Sequence, residues 1–276
     1  MKFDIIHRTQ YAYASPVRES FNEVRLQPAS NATQIVESFL LKVLPPSRLR
    51  HFADFYSNCV HHFEIFEPHQ TLFIESQLRI NVLPVTPLAL EATPWPMNAV
   101  WESKLVNRCY EFLQATRYVD LSPETWRLAI DATTDREDLW QCALSIMHFV
   151  HTHLTYESNS THVHTHMREV LAQRRGVCQD FAHVMLGMCR ALKIPALYVS
   201  GYLATEVASA THAWVEVFIP GLGWRGLDPT HNRQPNEMYV KLAVGRDYAD
   251  VTPVSGTYKG TSERKMTVEV QIKPAI

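Results

Sequence analysis

The feature that most constrains the fold is a change in the period of the apolar residues at a proline-rich segment. The segment from Pro84 to Pro96 contains four prolines, which keep the backbone extended and disfavour both a helix and a central strand. Before this segment, apolar and polar side chains alternate as in a β-strand. After it, apolar residues recur at helical spacings. We therefore predict two units, residues 1–88 and residues 89–276.

The first unit is predicted to be an antiparallel β-sandwich. Several short alternating runs follow one another with no helical pattern between them, and proline, serine and asparagine separate them, as is typical of an all-β unit. The predicted strands are Lys2–Tyr13, Gln34–Leu44, Cys59–Phe66 and Leu72–Leu83.

The second unit is predicted to be an α+β core in which helices come first and antiparallel strands follow. Ser122 before Pro123 is typical of a helix start, and Thr134 with Glu137 has the spacing of a capping box. The predicted helices are Val100–Ala115, one that begins at Ser122, one that follows Thr134, and one over Cys178–Leu192. The predicted strands are Ala196–Leu203, His212–Ile219 and Trp224–Asp228. This order does not fit alternating βαβ units.

Charge and cysteine content restrict the partners and the compartment. The chain has 26 Lys and Arg against 28 Asp and Glu, a formal net charge of -2, so we expect neither nucleic acid nor a membrane as a partner. Its five cysteines show no zinc-ligand spacing and suit a reducing compartment. We find no leader pattern and no apolar run that could span a membrane, and we expect a cytoplasmic protein.

Three residues on three separate segments have the chemistry of a catalytic triad. Cys178 follows Gly176 at a predicted helix start, where free N–H groups and the helix dipole favour the reactive thiolate. His212 begins a strand, and Asp228 ends the next one, fixed in an extended conformation by the proline that follows it. A cysteine nucleophile, a histidine base and an aspartate that orients the base would make up the triad.

The hairpin that carries His212 and Asp228 must satisfy a condition of register. The two side chains share a face only if an even-numbered residue, such as Trp214 or Glu216, lies opposite Asp228. A plain four-residue loop over residues 220–223 would pair Asp228 with Val215, on the wrong face. We therefore predict an odd loop length or a one-residue bulge in this hairpin, with the Asp228 carboxylate within hydrogen-bonding distance of His212.

At these residues the chain resembles the transglutaminase-like superfamily. The matching motifs are Arg175-Gly-Val-Cys-Gln-Asp-Phe-Ala182, Leu192-Lys-Ile-Pro-Ala196, Gly201-Tyr202, His212-Ala-Trp-Val-Glu216 and Gly223-Trp-x-x-Leu-Asp-Pro-Thr230. The segments Phe3–Tyr11, Asp54–Asn58 and Gly245–Val251 are similar to the N-terminal domain and the downstream region of the bacterial members. The likeness therefore extends over nearly the whole chain.

The resemblance implies a papain-like α+β core in which Cys178, His212 and Asp228 match the catalytic positions. It also implies acyl transfer at a peptide or protein amide, without a cofactor. Two departures limit the comparison. We find no acidic loop with calcium-ligand spacing of the kind that the calcium-regulated animal enzymes would need, and Ser57 stands where the N-terminal turn would be expected to carry glycine.

Further residues are weaker candidates for the site. Tyr156 and Gln173 are alternatives for a second oxyanion donor beside the Cys178 backbone N–H, and Trp214 is a candidate wall of the cleft. His162, His164 and His166 alternate and would line one face of an extended segment as metal ligands, although a polar surface loop explains them more simply. We predict no metal site. The remaining cysteines, Cys59, Cys109, Cys142 and Cys189, are expected to be small core residues.

Three functions remain open at this stage. The first is a cysteine enzyme, for which hydrolysis by a peptidase or amidase is favoured over glutamine crosslinking, because the chain lacks the additional substrate modules of dedicated crosslinking enzymes. The second is a catalytically silent module that binds a peptide or protein. The third is a histidine-rich metal-binding protein. No residue pattern specifies the oligomeric state.

Overall fold

The computed structural model describes residues 1–86, 95–98, 102, 104–204, 209–261 and 263–275. The strands are β1 Lys2–Gln27, β2 Gln34–Leu44, β3 Arg50–Ala53, β4 Cys59–Ile65, β5 His69–Val82, β6 Thr155–Tyr156, β7 Arg175–Gly176, β8 Ala196–Ala204, β9 Ser209–Ile219, β10 Gly223–Leu227, β11 Tyr239–Gly245, β12 Val254–Lys259 and β13 Arg264–Pro274. The α-helices are α1 Pro123–Ala132, α2 Leu139–His153, α3 Met167–Gln173, α4 Cys178–Ala191 and α5 Tyr248–Val251, and a 3₁₀ helix covers Lys104–Leu113.

The N-terminal half is an antiparallel β structure in which the 26-residue strand β1 belongs to two sheets. The first part of β1 pairs with β5 and β13, and its second part pairs with β4 and β12. The pairing with β5 is interrupted between Ala12 and Val17, where the strand passes from one sheet to the other. The predicted sandwich of short antiparallel strands is therefore confirmed, with β1 longer than expected.

The last two strands of the chain complete the N-terminal sheets, which the sequence analysis did not foresee. β12 and β13 both pair with β1, which lies more than 200 residues earlier in the chain. The division at residue 88 remains a prediction, since residues 87–94 of the proline-rich segment lie outside the described residues. The C-terminal strands nevertheless join the N-terminal sheets and not the sheet of the second unit.

The second unit is a four-stranded antiparallel sheet, in the order β10-β9-β8-β11, against which helix α4 packs. The predicted α+β arrangement is confirmed, and Cys178 is the first residue of α4. Residues Gln179 to Arg190 of this helix are all buried, so α4 is a central helix with a covered surface on every side. Part of the predicted helix Val100–Ala115 lies outside the described residues, and within its described part Lys104–Leu113 form the 3₁₀ helix.

The predicted capping box at Thr134 is wrong. Helix α2 begins at Leu139 with Asp138 as its N-cap, and the Asp138 carboxylate accepts the Gln141 N–H at 3.0 Å. The Thr134 hydroxyl instead donates to the Asp131 carbonyl at 3.0 Å, at the end of the preceding helix. Asp138 is also a favoured N-cap residue and lies next to the first buried turn, so it takes the role. The start of α1 at Pro123, capped by Ser122, is as predicted.

Two amide side chains of the N-terminal half cover the outer edge of β11. Gln34 donates to the Lys241 carbonyl at 2.7 Å and accepts the Lys241 N–H at 2.9 Å. Asn58 forms the same two bonds with Val244, both at 2.8 Å. Each amide group thus pairs with the edge strand as a neighbouring peptide group would, and these bonds attach the four-stranded sheet to the N-terminal β structure.

Removal of one of these amides is expected to destabilise the whole chain. In Asn58→Ala the Val244 N–H and C=O lose their partners in a buried interface, since Asn58 is 5% exposed, and we expect a loss of about 2–4 kcal/mol in the free energy of unfolding. Urea denaturation followed by circular dichroism measures it. Asn31→Ala is the control, because this exposed side chain bonds within its own turn; an equal loss in both variants would contradict the explanation.

The turn that precedes Asn58 is held by Asp54, whose carboxylate accepts the Tyr56 and Asn58 N–H groups at 2.9 Å each. Ser57 has φ of +65° there, the left-handed region that favours glycine. The departure noted at Ser57 therefore falls at a position where glycine would be the less strained residue.

Among the described residues, no helix has the length and apolar character needed to cross a membrane.

Candidate active site

Cys178, the candidate nucleophile, lies at the start of α4 because hydrogen bonding and close packing fix the two residues before it. Val177 is extended and its N–H donates to the Asp180 carboxylate at 2.8 Å, which caps the helix from within its first turn. Gly176 allows this approach, since a Cβ on residue 176 would lie 2.6 Å from an Asp180 carboxylate oxygen. Cys178 is therefore held at the first helical position, half-buried, where backbone N–H groups have no partner inside the helix.

His212 lies between the thiol and a carboxylate. Its Nε2 is 2.8 Å from Oδ2 of Asp228, and the Cys178 thiol is close enough to the same ring to favour its protonated form. Because Nε2 is occupied by Asp228, Nδ1 is the nitrogen available to the sulfur. Burial lowers the pKa of His212, but the hydrogen bond to Asp228 and the neighbouring Cys178 thiol outweigh burial and raise that pKa to about 9. The imidazolium form is thus favoured beside the sulfur.

The register of the β9–β10 hairpin brings the two side chains together. Ile219 pairs with Gly223 and Leu227 with Val215, so the loop has three residues and even-numbered positions lie opposite one another. Gly221 and Gly223 both have positive φ, +78° and +77°, which closes this short loop at little steric cost. The predicted odd loop length and the predicted Asp228–His212 hydrogen bond are therefore both confirmed.

Asp228 is fully buried and accepts five hydrogen bonds. Its Oδ2 receives His212 Nε2 at 2.8 Å, His231 Nδ1 at 2.8 Å and the Tyr239 hydroxyl at 2.6 Å. Its Oδ1 accepts the backbone N–H groups of Thr230 at 2.9 Å and His231 at 3.3 Å. Burial alone would raise the pKa of Asp228, but these donors, His212 first, hold that pKa well below its usual range. The carboxylate is therefore an anion that orients the imidazole.

Sequence reasoning missed two residues of this cluster, His231 and Tyr239. The position of His231, three residues after Asp228, was a usable signal, because aspartate side chains commonly bond to residues two or three places later. Tyr239 had no such signal. It lies on β11, which reaches the site only through its pairing with β8, and its hydroxyl accepts from Arg233 Nε at 2.8 Å while donating to Asp228.

The weaker candidates fall in different places. Tyr156 lies on β6 opposite Gly176, two residues before the thiol, and its pKa is raised by burial and next by the charge of Cys178. Trp214 is 2% exposed and stacks on His212 with ring centroids 6.2 Å apart, which makes it a support behind the imidazole and not an open wall. Gln173 is exposed at the end of α3.

The histidine-rich loop does not form the extended comb that a metal site would need. His166 caps α3 by accepting the Arg168 N–H at 3.2 Å, and His164 pairs with the Tyr118 hydroxyl at 3.0 Å. The segment from His162 to His166 contains a turn and is not an extended strand, and the His162 and His164 rings lie 6.2 Å apart within it. Within the described part of the chain, the one histidine and carboxylate group with metal-compatible spacing is His212, Asp228 and His231, whose 2.8 Å separations are those of hydrogen bonds.

Comparison with protein-family models matches both halves of the chain. Residues 127–229 match the model of the transglutaminase-like superfamily, and residues 3–81 match that of the bacterial transglutaminase-like N-terminal region. An uncharacterized protein of Mycobacterium leprae (strain TN) is 31% identical over 276 residues, with 97% of each chain covered. A protein-glutamine gamma-glutamyltransferase of Pseudomonas aeruginosa is 36% identical over 96 residues, which cover 30% of this chain and 14% of that protein.

Comparison with solved structures extends the likeness to the complete fold. The crystal structure of a proposed cysteine protease from Cytophaga hutchinsonii superimposes with a TM-score of 0.81 and 26% sequence identity. The superposition covers 99% of this chain and 90% of that one. Both the β structure and the helix-and-sheet core are therefore shared with that protein.

Proposed function

Because this chain belongs to the transglutaminase-like superfamily, we propose that it is a cysteine enzyme that acts on amide bonds with Cys178 as nucleophile. The observation that carries this proposal is the position of His212, which is hydrogen-bonded to Asp228 and lies close enough to the Cys178 thiol for that group to favour the imidazolium. Nucleophile, base and orienting carboxylate in one chain of contacts are what acyl transfer through a thioester needs.

The proposed reaction begins with attack of the Cys178 thiolate on an amide carbonyl carbon of a peptide or protein. The backbone N–H of Cys178 stabilises the oxyanion that forms, with the Tyr156 hydroxyl as a candidate second donor. When the C–N bond breaks, the His212 imidazolium gives its proton to the departing nitrogen, and a thioester with Cys178 remains. Neutral His212 then removes a proton from the acceptor that attacks the thioester, which releases the acyl group and restores the thiolate.

Water is the acyl acceptor that we favour, so that the enzyme would be a peptidase or amidase. The superposition with the proposed cysteine protease supports this choice, because it extends over the whole chain. A primary amine is the second candidate, which the similarity of 96 residues to the protein-glutamine gamma-glutamyltransferase favours. The two reactions share every step up to the thioester and differ in the group that resolves it.

An assay that follows three products separates these functions. The full chain is incubated with an unfolded protein and with a glutamine-containing peptide, with and without a primary amine. We expect peptide cleavage or ammonia release that does not require the amine, since water is the proposed acceptor. Products that contain the amine would identify a transamidase instead.

The control in this assay is the variant Cys178→Ala. If the wild-type chain and this variant form the same amounts of product, or if neither forms any while the wild type binds the unfolded protein, the proposed enzyme function is wrong. The second result would favour a catalytically silent binding module.

A further inference from the structure

His231 shares one carboxylate oxygen with the histidine of the proposed triad. Oδ2 of Asp228 lies 2.8 Å from Nε2 of His212 and 2.8 Å from Nδ1 of His231. The two imidazole rings are close, with centroids 5.1 Å apart and planes at 60°. The carboxylate has no further lone-pair direction on that oxygen, since the Tyr239 hydroxyl also donates to it at 2.6 Å.

A tight turn returns His231 to the carboxylate that precedes it by three residues. Asp228 and Arg233 exchange backbone hydrogen bonds of 2.8 and 3.3 Å across the turn, and Asn232 has φ of +51°. The outside of the turn is held separately, because His151 Nδ1 pairs with the Thr230 carbonyl at 3.1 Å. His231 is 40% exposed, whereas His212 is 7% exposed, so His231 is the member of this cluster that faces solvent.

We infer that His231 is a positioning residue that competes with His212 for Oδ2 of Asp228 and so limits how strongly this oxygen holds the catalytic imidazolium. This inference rests on the proposed function of the triad. Its physical basis is that each donor on a shared acceptor withdraws negative charge from the others. An N–H group directed at Oδ2 also places its positive end near His212, which disfavours a proton there.

The groups that surround the shared oxygen support a competition between these two rings. The N–H groups of Thr230 and His231 occupy the other oxygen and keep the carboxylate in place without the His231 side chain. Titratable and charged groups from several elements face the cluster or its turn: Cys178 from α4, His212 from β9, Tyr239 from β11, His231 and Arg233 from the turn, and His148 and His151 from α2 on the outside of the turn. Loss of the His231 ring would thus leave Asp228 oriented and strengthen the hydrogen bond between His212 and Oδ2.

The consequence for the reaction concerns the step in which the C–N bond breaks. The His212 imidazolium must then release its proton to the departing nitrogen, and an imidazolium that is held too tightly is a weaker acid. His231 would therefore keep His212 acidic enough to protonate the leaving group while Asp228 keeps it oriented.

The test measures the alkylation rate of Cys178 by iodoacetate across pH, which requires no substrate turnover. The Cys178 sulfur displaces iodide, and the rate falls when His212 loses the positive charge that attracts the reagent. In His231→Phe we expect this falling limb to move to higher pH by about half a unit to one unit, the effect of one lost hydrogen bond. His231→Asn keeps an N–H near the position of Nδ1, so the alkylation rate of this variant should fall at the same pH as in the wild type.

His151→Phe is the matched control, because it loosens the same turn without removing a donor from Asp228. The inference is wrong if the falling part of the alkylation profile stays at the wild-type pH, or moves to lower pH, in His231→Phe. It is also wrong if this part of the profile moves by the same amount in His151→Phe. If His231→Phe does not fold, His231→Ala provides the same comparison. The result is separate from the proposed function: a shifted limb without any amide turnover would sustain the role of His231 and refute the enzyme assignment.

Discussion

Cys178→Ala is expected to abolish acyl-enzyme formation and to lower any amide turnover by at least about 10⁴-fold, because removal of the nucleophile leaves only binding and oxyanion stabilisation. The thiol is half-buried at the first position of α4 and lies near His212. Alanine fits that position, so the fold should be retained. Mass spectrometry of the chain after incubation with an electrophilic peptide amide measures the covalent adduct, and turnover is followed in parallel.

Cys59→Ala is the control for this experiment. Cys59 is also half-buried, but it lies on β4 of the N-terminal half, and burial raises the pKa of its thiol. The same holds for the buried thiols of Cys109, Cys142 and Cys189, so Cys178 should be the first cysteine alkylated near neutral pH. Residual turnover in Cys178→Ala close to that of Cys59→Ala would exclude Cys178 as the nucleophile.

Asp228→Asn is expected to lower the rate by about 10² to 10⁴-fold, because an amide no longer enforces the imidazole tautomer and does not stabilise the imidazolium. The pH profile should change as well. Asp228 contributes to the raised pKa of His212, about 9; this interaction stabilises the protein below pH 6.5 and is lost as the pH rises through about 9. Without the anion, the falling limb of iodoacetate alkylation should move to lower pH, opposite to the shift expected for His231→Phe.

Glu216→Gln is the matched control for Asp228→Asn. Glu216 is a buried carboxylate on the same strand and face as His212, but it pairs with Lys241 at 2.5 Å. Asp180, another nearby carboxylate, is occupied by the Val177 N–H and by the Thr161 hydroxyl at 2.6 Å. If the falling part of the alkylation profile keeps its pH in Asp228→Asn, or moves to lower pH equally in Glu216→Gln, then Asp228 is not the residue that raises the pKa of His212.

The features predicted correctly depend on residues that are close in sequence. The start of α4 at Cys178 follows from Gly176 and from the Asp180 side chain two residues after the thiol. The alternation along β1 and β2 gives strands, and counting side-chain parity in one hairpin predicted its loop length and the contact between His212 and Asp228. These inferences succeed because helix capping, strand period and hairpin register act over a few residues.

The incorrect or missing features depend on competition between local signals or on distant contacts. Thr134 has the spacing of a capping box, yet Asp138 lies nearer to the buried turn of α2 and caps it instead. The histidine segment is the polar loop that the sequence favoured over a row of metal ligands, and its His164 and His166 bond to Tyr118 and to the start of α3. In both places a residue outside the local pattern supplies the stronger partner.

The sequence by itself pointed to the helix that Cys178 begins, to the strand that carries His212 and to the hairpin register that brings Asp228, just after β10, next to His212. Only the tertiary structure decided what surrounds Asp228 and how the two halves are joined. Tyr239 reaches the carboxylate through the pairing of β11 with β8, and β12 and β13 pair with a strand at the other end of the chain. Such contacts follow from the packing of whole sheets, whose register no short segment encodes.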